Sequence, residues 1–257
     1  MNVIHALILG VIEGLTEFLP ISSTAHLALF SNFILHIPSD NFSKTFEIFI
    51  QLGAILAVLV VFWKKFWHLE MIKKLIVAFI PTAIIGLLMY HILKTFLLST
   101  FMLMAWSLLI GGCAIILFEL YYAKKFFAKN DPEKISYKQC LFLGLFQSIA
   151  IIPGVSRSAA TIIGGLGMGL KRETVVEFSF LLAVPTILAA SLLDLYKSAG
   201  AITVNQGELL VIGSLVAFVV ALGVIKFLMA YIRKHDFKAF GIYRIILGLL
   251  LIMFILF

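Results

Sequence analysis

The chemistry-bearing residues of this chain gather in two short stretches of an otherwise apolar sequence. The first is EGLTEFLPISSTAH at 13–26. Glu13 and Glu17 are four residues apart, so on a helix both carboxylates lie on one face. Two such groups in an apolar segment need a cation, a shared proton or an arginine between them. Carboxylate oxygens suit Mg²⁺ or Ca²⁺, which makes Glu13 and Glu17 candidate ligands of a divalent cation. Ser22, Ser23 and Thr24 follow with three hydroxyls, although these are also the residue types that cap a helix start. His26, nine residues after Glu17, offers a general acid/base or an activator of a serine hydroxyl.

The second stretch is PGVSRSAAT at 153–161. Gly154 frees the backbone, and Ser156 and Ser158 offer hydroxyls. Arg157 presents a planar fork suited to phosphate. A helix starting here would aim its N-terminal N–H groups at the same anion. A bridge from Arg157 to Glu17 is the structural alternative, and the two roles are compatible. Paired carboxylates, serines and a histidine from one stretch, with an arginine from the other, spell phosphoryl chemistry on a metal-bridged anion. A lipid phosphate fits such a site, its head in a polar cavity and its tail left in the bilayer.

The elements that hold these residues follow from composition. Of 257 residues, 62% are hydrophobic and 13% charged, too little polar surface for a soluble particle of this size. That excludes a soluble enzyme, a nucleic-acid-binding domain and a disordered chain, and it implies an all-α polytopic membrane protein. The net charge of +7 then reads as basic loops facing anionic lipid, with no nucleic-acid partner. Six stretches are long enough to span, at roughly 45–62, 75–93, 101–122, 175–196, 209–232 and 240–257. Two more, 2–36 and 139–170, are broken in the middle by the two motifs. Their arms of about 12–17 residues are too short to cross, so each reads as a re-entrant hairpin.

Loop charges order the spans. Lys64, Lys65, Lys73 and Lys74 lie in 63–74, and Lys124, Lys125, Lys129, Lys134 and Lys138 in 123–138. Lys171, Arg172, Arg233, Lys234 and Lys238 mark two further basic sites, whereas 36–44, 94–100 and 197–208 carry only Lys44, Lys94 and Lys197. With two hairpins and six spans, every basic segment falls on the cytoplasmic side. The first hairpin then enters from outside and the second from inside. The chain divides into a first repeat at 1–122, a cytoplasmic linker at 123–138 and a second, inverted repeat at 139–257. Gly10 aligns with Gly144, Glu13 with Gln147, Pro20 with Pro153 and Glu47 with Glu177, at offsets near 130–134 positions. Inverted-topology repeats place their site at the repeat interface near mid-membrane.

Glu47 and Gln51, one turn apart, could extend the site, while Glu177 is expected to pair with Lys171 and Arg172. Asp194 and Lys197 read as interfacial, Lys226 and Arg244 as snorkelling, and Trp63 and Trp67 as interface anchors. Cys113 and Cys140 read as small packing residues, and the N-terminus carries no evident signal peptide.

Over essentially the whole chain the sequence resembles the undecaprenyl-diphosphate phosphatase family, the bacitracin-resistance proteins. The two motifs carry the resemblance most specifically, supported by KTFEIFIQLGAILA at 44–57 and EFSFLLAVP at 177–185. The family pattern usually has glycine where this chain has Ala25 and Ala159. The resemblance implies a multi-pass phosphatase of the bacterial plasma membrane, with its site facing outside. It would convert undecaprenyl diphosphate to undecaprenyl phosphate and inorganic phosphate, recycling the carrier for cell-wall synthesis and conferring bacitracin resistance. It also implies dependence on a divalent cation. Carried onto this chain, Glu13 and Glu17 would organise the cation. Arg157 would bind the diphosphate, helped by Ser156 and Ser158, with Ser22 and Thr24 at the same anion. Ser23 would be the nucleophile and His26 the acid/base, with attack by His26 itself or by a water activated by Glu17 as alternatives. A homodimer is compatible with this reading. The competing class is a transporter of the polyprenyl phosphate lipid, since inverted repeats with broken helices also build transporters. The type 2 phosphatidic acid phosphatase pattern needs a histidine where this chain has Ile163.

Overall fold

The computed structural model describes residues 1–92, 101–121, 135–198 and 203–256, all helix and connection with no strand among them. Lys94, Lys124, Lys125, Lys129 and Lys134, and with them most of the expected linker at 123–138, lie outside the described residues, as does the side chain of Lys197. Six helices are long and apolar enough to cross a membrane, at the expected places. They are α3 (Asn41–Val61), α5 (Leu69–Ile92), α6 (Phe101–Tyr121), α9 (Arg172–Ser198), α10 (Val204–Tyr231) and α11 (Lys238–Leu256). Shorter helices are α1 (Val3–Thr16), α2 (Ser23–Ala28), α4 (Trp63–Phe66), α7 (Tyr137–Ser148) and α8 (Arg157–Gly167). The expected basic loop at 63–74 is therefore mostly helical, with Lys73 and Lys74 in the first turns of α5.

Local chemistry sets the ends of these helices. Asn2, Asp40, Ser136 and Thr203 each cap the helix that follows, and Ser136 with Gln139 and Thr203 with Gln206 form full capping boxes. The α1 helix stops where Pro20 removes a backbone donor and constrains the residue before it. Ser22 then turns the chain with φ of 74° and caps α2 through its hydroxyl. The second break repeats this device. A short 3₁₀ turn (Ile149–Ile151) ends α7, Pro153 and Gly154 follow, and Ser156 at φ of 68° caps α8. Beyond α2 the arm continues as a π-helical turn (Leu29–Ile34).

Glycines let the short helices seat closely on long ones. A Cβ on Gly10 would meet the Gly213 carbonyl at 2.6 Å, and one on Gly14 would meet that of Ala217 at 2.6 Å, so α1 lies against α10. Gly144 approaches the Ala78 carbonyl in the same way, seating α7 on α5. Close backbone approach is how membrane helices gain packing energy when lipid tails remove the hydrophobic incentive. The α3 helix packs on both α9 and α10, and α6 pairs with α11.

The two ends of the bundle differ. At one, ion pairs join Lys65 to Glu177 at 2.9 Å, Arg172 to Glu119 at 2.5 Å and Arg233 to Glu173 at 3.6 Å. Glu177 thus pairs with Lys65, not with the neighbouring Lys171 and Arg172 as expected, because α9 turns it toward α4. The basic segments of the described chain meet at this end. At the other, Ala6, Leu9, Leu27, Ile37, Phe46 and Leu210 form an apolar cluster, so α1 begins and the arm after α2 finishes on the same side. Lys226, Trp63 and Trp67 are exposed, as expected; Cys140 is buried, whereas Cys113 lies on an exposed face of α6.

Candidate active site

The two breaks face each other, and side chains tie them together. Arg157, at the first position of α8, reaches Glu17 with Nη2 at 3.1 Å and Nε at 3.4 Å from Oε1. Its Nη1 donates to the Ser179 carbonyl of α9 at 2.8 Å, which fixes the plane of the guanidinium. The other oxygen of Glu17 accepts the Ser23 hydroxyl at 2.6 Å. Glu17 therefore sits between a cation and a hydroxyl, with Arg157 and Ser23 drawn to its two oxygens. Both acidic residues are buried, Glu13 at 0% and Glu17 at 8% exposure.

Neither oxygen of Glu13 meets a donor, and both are shielded from solvent. The charged groups in its reach are Glu17, Glu47 and Arg157. Leaving a buried carboxylate without a donor costs several kcal/mol or more in the ionised form, so Glu13 calls for a counter-charge or a proton shared with its neighbour Glu17. Glu47 is itself held by the Ser31 hydroxyl at 2.5 Å, and the π-helical turn after α2 puts Ser31 there. Among the described residues no three histidine, cysteine or acidic side chains are grouped to hold a metal ion by themselves.

The remaining expected site residues divide by what they touch. Ser22 and Ser156 spend their hydroxyls as helix caps, accepting from the Ala25 and Ala159 amides at 3.4 and 3.2 Å. Ser158 is fully buried and donates to the Phe18 carbonyl at 2.9 Å, bridging the second tip to the first. Thr24 is half-buried beside Ser23. His26 is buried, with Nδ1 2.7 Å from the Ser22 carbonyl and Nε2 2.7 Å from the Tyr243 hydroxyl of α11. The structure thus brings Glu13, Glu17, Ser23 and Arg157 together and turns His26 and Ser158 to neighbouring backbone.

The sequence reading missed one central residue. Arg244 does not snorkel. Among the described residues it is the largest fully buried side chain, two turns into α11. Its Nη1 donates to the Pro20 carbonyl at 3.3 Å, and its Nη2 to the carbonyls of Gly154 and Ser107, each at 3.0 Å. One guanidinium so satisfies carbonyls of both breaks, groups that a bilayer interior would otherwise leave bare, and reaches a carbonyl of α6 as well. The available signal was an arginine within an apolar run, together with Gly111 and Gly112 on α6, which open the space it fills.

Six membrane-length helices around a buried ionic centre fit a multi-pass membrane protein. The chain belongs to the bacitracin resistance protein BacA family, whose model matches residues 6–250. Relatives named undecaprenyl-diphosphatase cover nearly the same length. That of Sulfurihydrogenibium sp. (strain YO3AOP1) is 47% identical over 250 residues, 97% of this chain and 98% of its own. That of Aquifex aeolicus (strain VF5) is 46% identical over 254 residues, 98% of each chain. That of Campylobacter jejuni subsp. jejuni serotype O:23/36 (strain 81-176) is 50% identical over 251 residues, 96% of this chain and 92% of its own.

Proposed function

We propose that this protein is a membrane phosphatase that hydrolyses undecaprenyl diphosphate to undecaprenyl phosphate and inorganic phosphate, and so confers bacitracin resistance. The observation that carries the reading is Glu17, held between Arg157 and the Ser23 hydroxyl where the two breaks meet. Family membership and the names of the relatives support it over the whole chain.

The residues supply a coherent phosphoryl transfer. The Ser23 oxygen attacks the terminal phosphorus while its proton passes to Glu17, 2.6 Å away. The bond from phosphorus to the bridging oxygen breaks, and undecaprenyl phosphate leaves with that oxygen. Water then cleaves the seryl phosphate, releasing inorganic phosphate. Arg157 exchanges its bond to Glu17 for the diphosphate, joined there by the first amides of α8. Attack by His26, or by a water that Glu17 activates, are the other routes to the same products. Glu13 and Glu17 would hold a divalent cation, Mg²⁺ or Ca²⁺. The donor-free oxygens of Glu13 support this, and Mg²⁺ commonly takes one or two carboxylates and completes its shell with water and substrate phosphate. Bound there, the cation would offset the charge of the diphosphate.

The two breaks are the tips of re-entrant hairpins in an inverted repeat of residues 1–122 and 139–257. The seating of α1 on α10 and of α7 on α5 supports this, because each first arm lies on a span of the other half. So do the capping serines at positive φ, Ser22 and Ser156, about 134 positions apart. The end that gathers Lys65, Arg172 and Arg233 is cytoplasmic by the positive-inside rule. The first hairpin then enters from the outer side of the bacterial plasma membrane, and the site faces outside.

The deciding experiment is inorganic phosphate release from undecaprenyl diphosphate in detergent with divalent cation, comparing purified wild type with Glu17→Gln. Release that the substitution abolishes is expected. No release by folded wild type would refute the phosphatase reading. Movement of polyprenyl phosphate between leaflets of a sealed vesicle would then make the transporter reading the first choice.

A further inference from the structure

His26 is the obvious acid/base beside a nucleophilic serine, but both of its nitrogens are already engaged. The Ser22 carbonyl can only accept, so Nδ1 carries the hydrogen of that 2.7 Å contact. Nε2 meets the Tyr243 hydroxyl at 2.7 Å in either protonation state, and the two rings stack at an interplanar angle of 3°. Meanwhile the Ser23 hydroxyl already has an acceptor in Glu17.

What His26 does hold is the most constrained residue of the first tip. Ser22 has a φ of 74°, a conformation that a non-glycine residue rarely adopts. It sits immediately before Ser23, and its carbonyl direction fixes where Ser23 begins α2. His26 grips that carbonyl from one turn above, and Tyr243 grips His26 from α11. The next residue of α11 is Arg244, which holds Pro20 and Gly154. At the second tip Ser156 has a similar φ of 68° without a histidine brace, since the corresponding place on α8 is Ala160. There the residue that follows is Arg157, which three bonds of its own already fix, to Glu17 and Ser179.

We infer that His26 and Tyr243 are positioning residues that keep the Ser22 turn, and through it the Ser23 hydroxyl, aimed at Glu17, with Glu17 as the proton acceptor. This deepens the phosphatase reading and rests on it. Two charged or titratable groups face His26 from α11, Tyr243 and Arg244.

Three measurements test it. In the phosphate-release assay, His26→Asn keeps an amide donor near the place of Nδ1 but has no titratable ring. We expect it to retain kcat within about tenfold of wild type with the same pH profile, whereas His26→Ala and His26→Gln, which reaches only toward Tyr243, fall further. Loss of a true acid/base costs about 10²–10⁴-fold. A loss for His26→Asn beyond tenfold, equal to that of His26→Ala, would overturn the inference. Tyr243→Phe, at a half-exposed site that tolerates the loss of a hydroxyl, is expected to lower kcat several-fold with KM unchanged in the wild-type background and to add nothing in His26→Asn. An equal loss in both backgrounds would refute the coupling. The third measurement needs no turnover. In protein labelled with ¹⁵N-histidine, the signal that disappears in His26→Asn should report hydrogen on Nδ1. A bare Nδ1 would sink the inference even in an active enzyme. If wild type releases no phosphate while Nδ1 carries hydrogen, the functional reading fails and the bracing geometry stands.

Discussion

The fit of Arg244 into the space opened by Gly111 makes a methyl group on another helix a sharp probe of the site. A Cβ on Gly111 would lie 2.9 Å from the guanidinium carbon and 3.2 Å from Nε, and closer still to Nη2. Nη2 is the nitrogen that donates to both Gly154 and Ser107. By helix propensity alone, Gly111→Ala would stabilise α6 by about 1 kcal/mol. Against that stand two hydrogen bonds from a charged donor, each worth about 1.5–3 kcal/mol, and overpacking strain of about 1–3 kcal/mol. Arg244 is fully buried, so a guanidinium pushed aside leaves these carbonyls without reaching water. The net expectation is a loss of at least about 2 kcal/mol, read as a lower thermal midpoint in detergent. The same displacement releases the carbonyl that holds the second tip. A shift of about 1 Å between reacting groups can cost about 10²-fold in rate, so phosphate release should fall by that order. A variant with an unchanged or raised midpoint and turnover within about twofold would refute the claim that Arg244 clamps the two tips.

Other consequences follow from the same contacts. Arg157→Lys keeps the charge but loses the fork that spans Glu17 and Ser179, and phosphate release should drop about 10²-fold or more with the fold intact by circular dichroism. Glu13→Gln should weaken binding of the divalent cation, seen as a higher cation concentration for half-maximal release; an unchanged cation titration would remove Glu13 from the cation site. Ser158→Ala deletes a bond to the Phe18 carbonyl, and we expect a stability loss of about 1 kcal/mol with KM for the lipid unchanged, whereas a raised KM would return Ser158 to the anion site.

Much of this was legible in the sequence because apolar runs, breaks and loop charge are physical properties of short segments. The six spans stand where length and hydropathy put them, and the breaks fall at Pro20 and Pro153, where a proline and a capping serine leave helix no continuation. The meeting of Glu17 with Arg157 was foreseen as a bridge, because two buried opposite charges in a bilayer have few other partners. Orientation within a helix was harder to foresee. His26 lies close to Glu17 in the chain, yet its ring faces Tyr243, a residue from the last helix that no local pattern connects to it. Arg244 looked like a snorkelling cation because it is near a helix end. Only the small residues of α6 across from it, and the bare carbonyls of the two tips, make a buried cation the lower-energy choice. The pairing of Glu177 with Lys65 instead of its sequence neighbours has the same origin in helix rotation.

The close seat of α1 on α10 also sets a timetable for assembly. The carbonyls of Gly213 and Ala217 that receive Gly10 and Gly14 are synthesised roughly 200 residues after them. At about 5–20 residues per second that gap lasts on the order of 10–40 s. Through that interval the first tip, with two acidic residues, lacks the helix it rests on, and the arginine that answers Glu17 comes only 140 residues after it. The second tip meets no such delay, because α5, on which α7 rests, is already made when α7 emerges. The half of the site that is born first is the one that must wait.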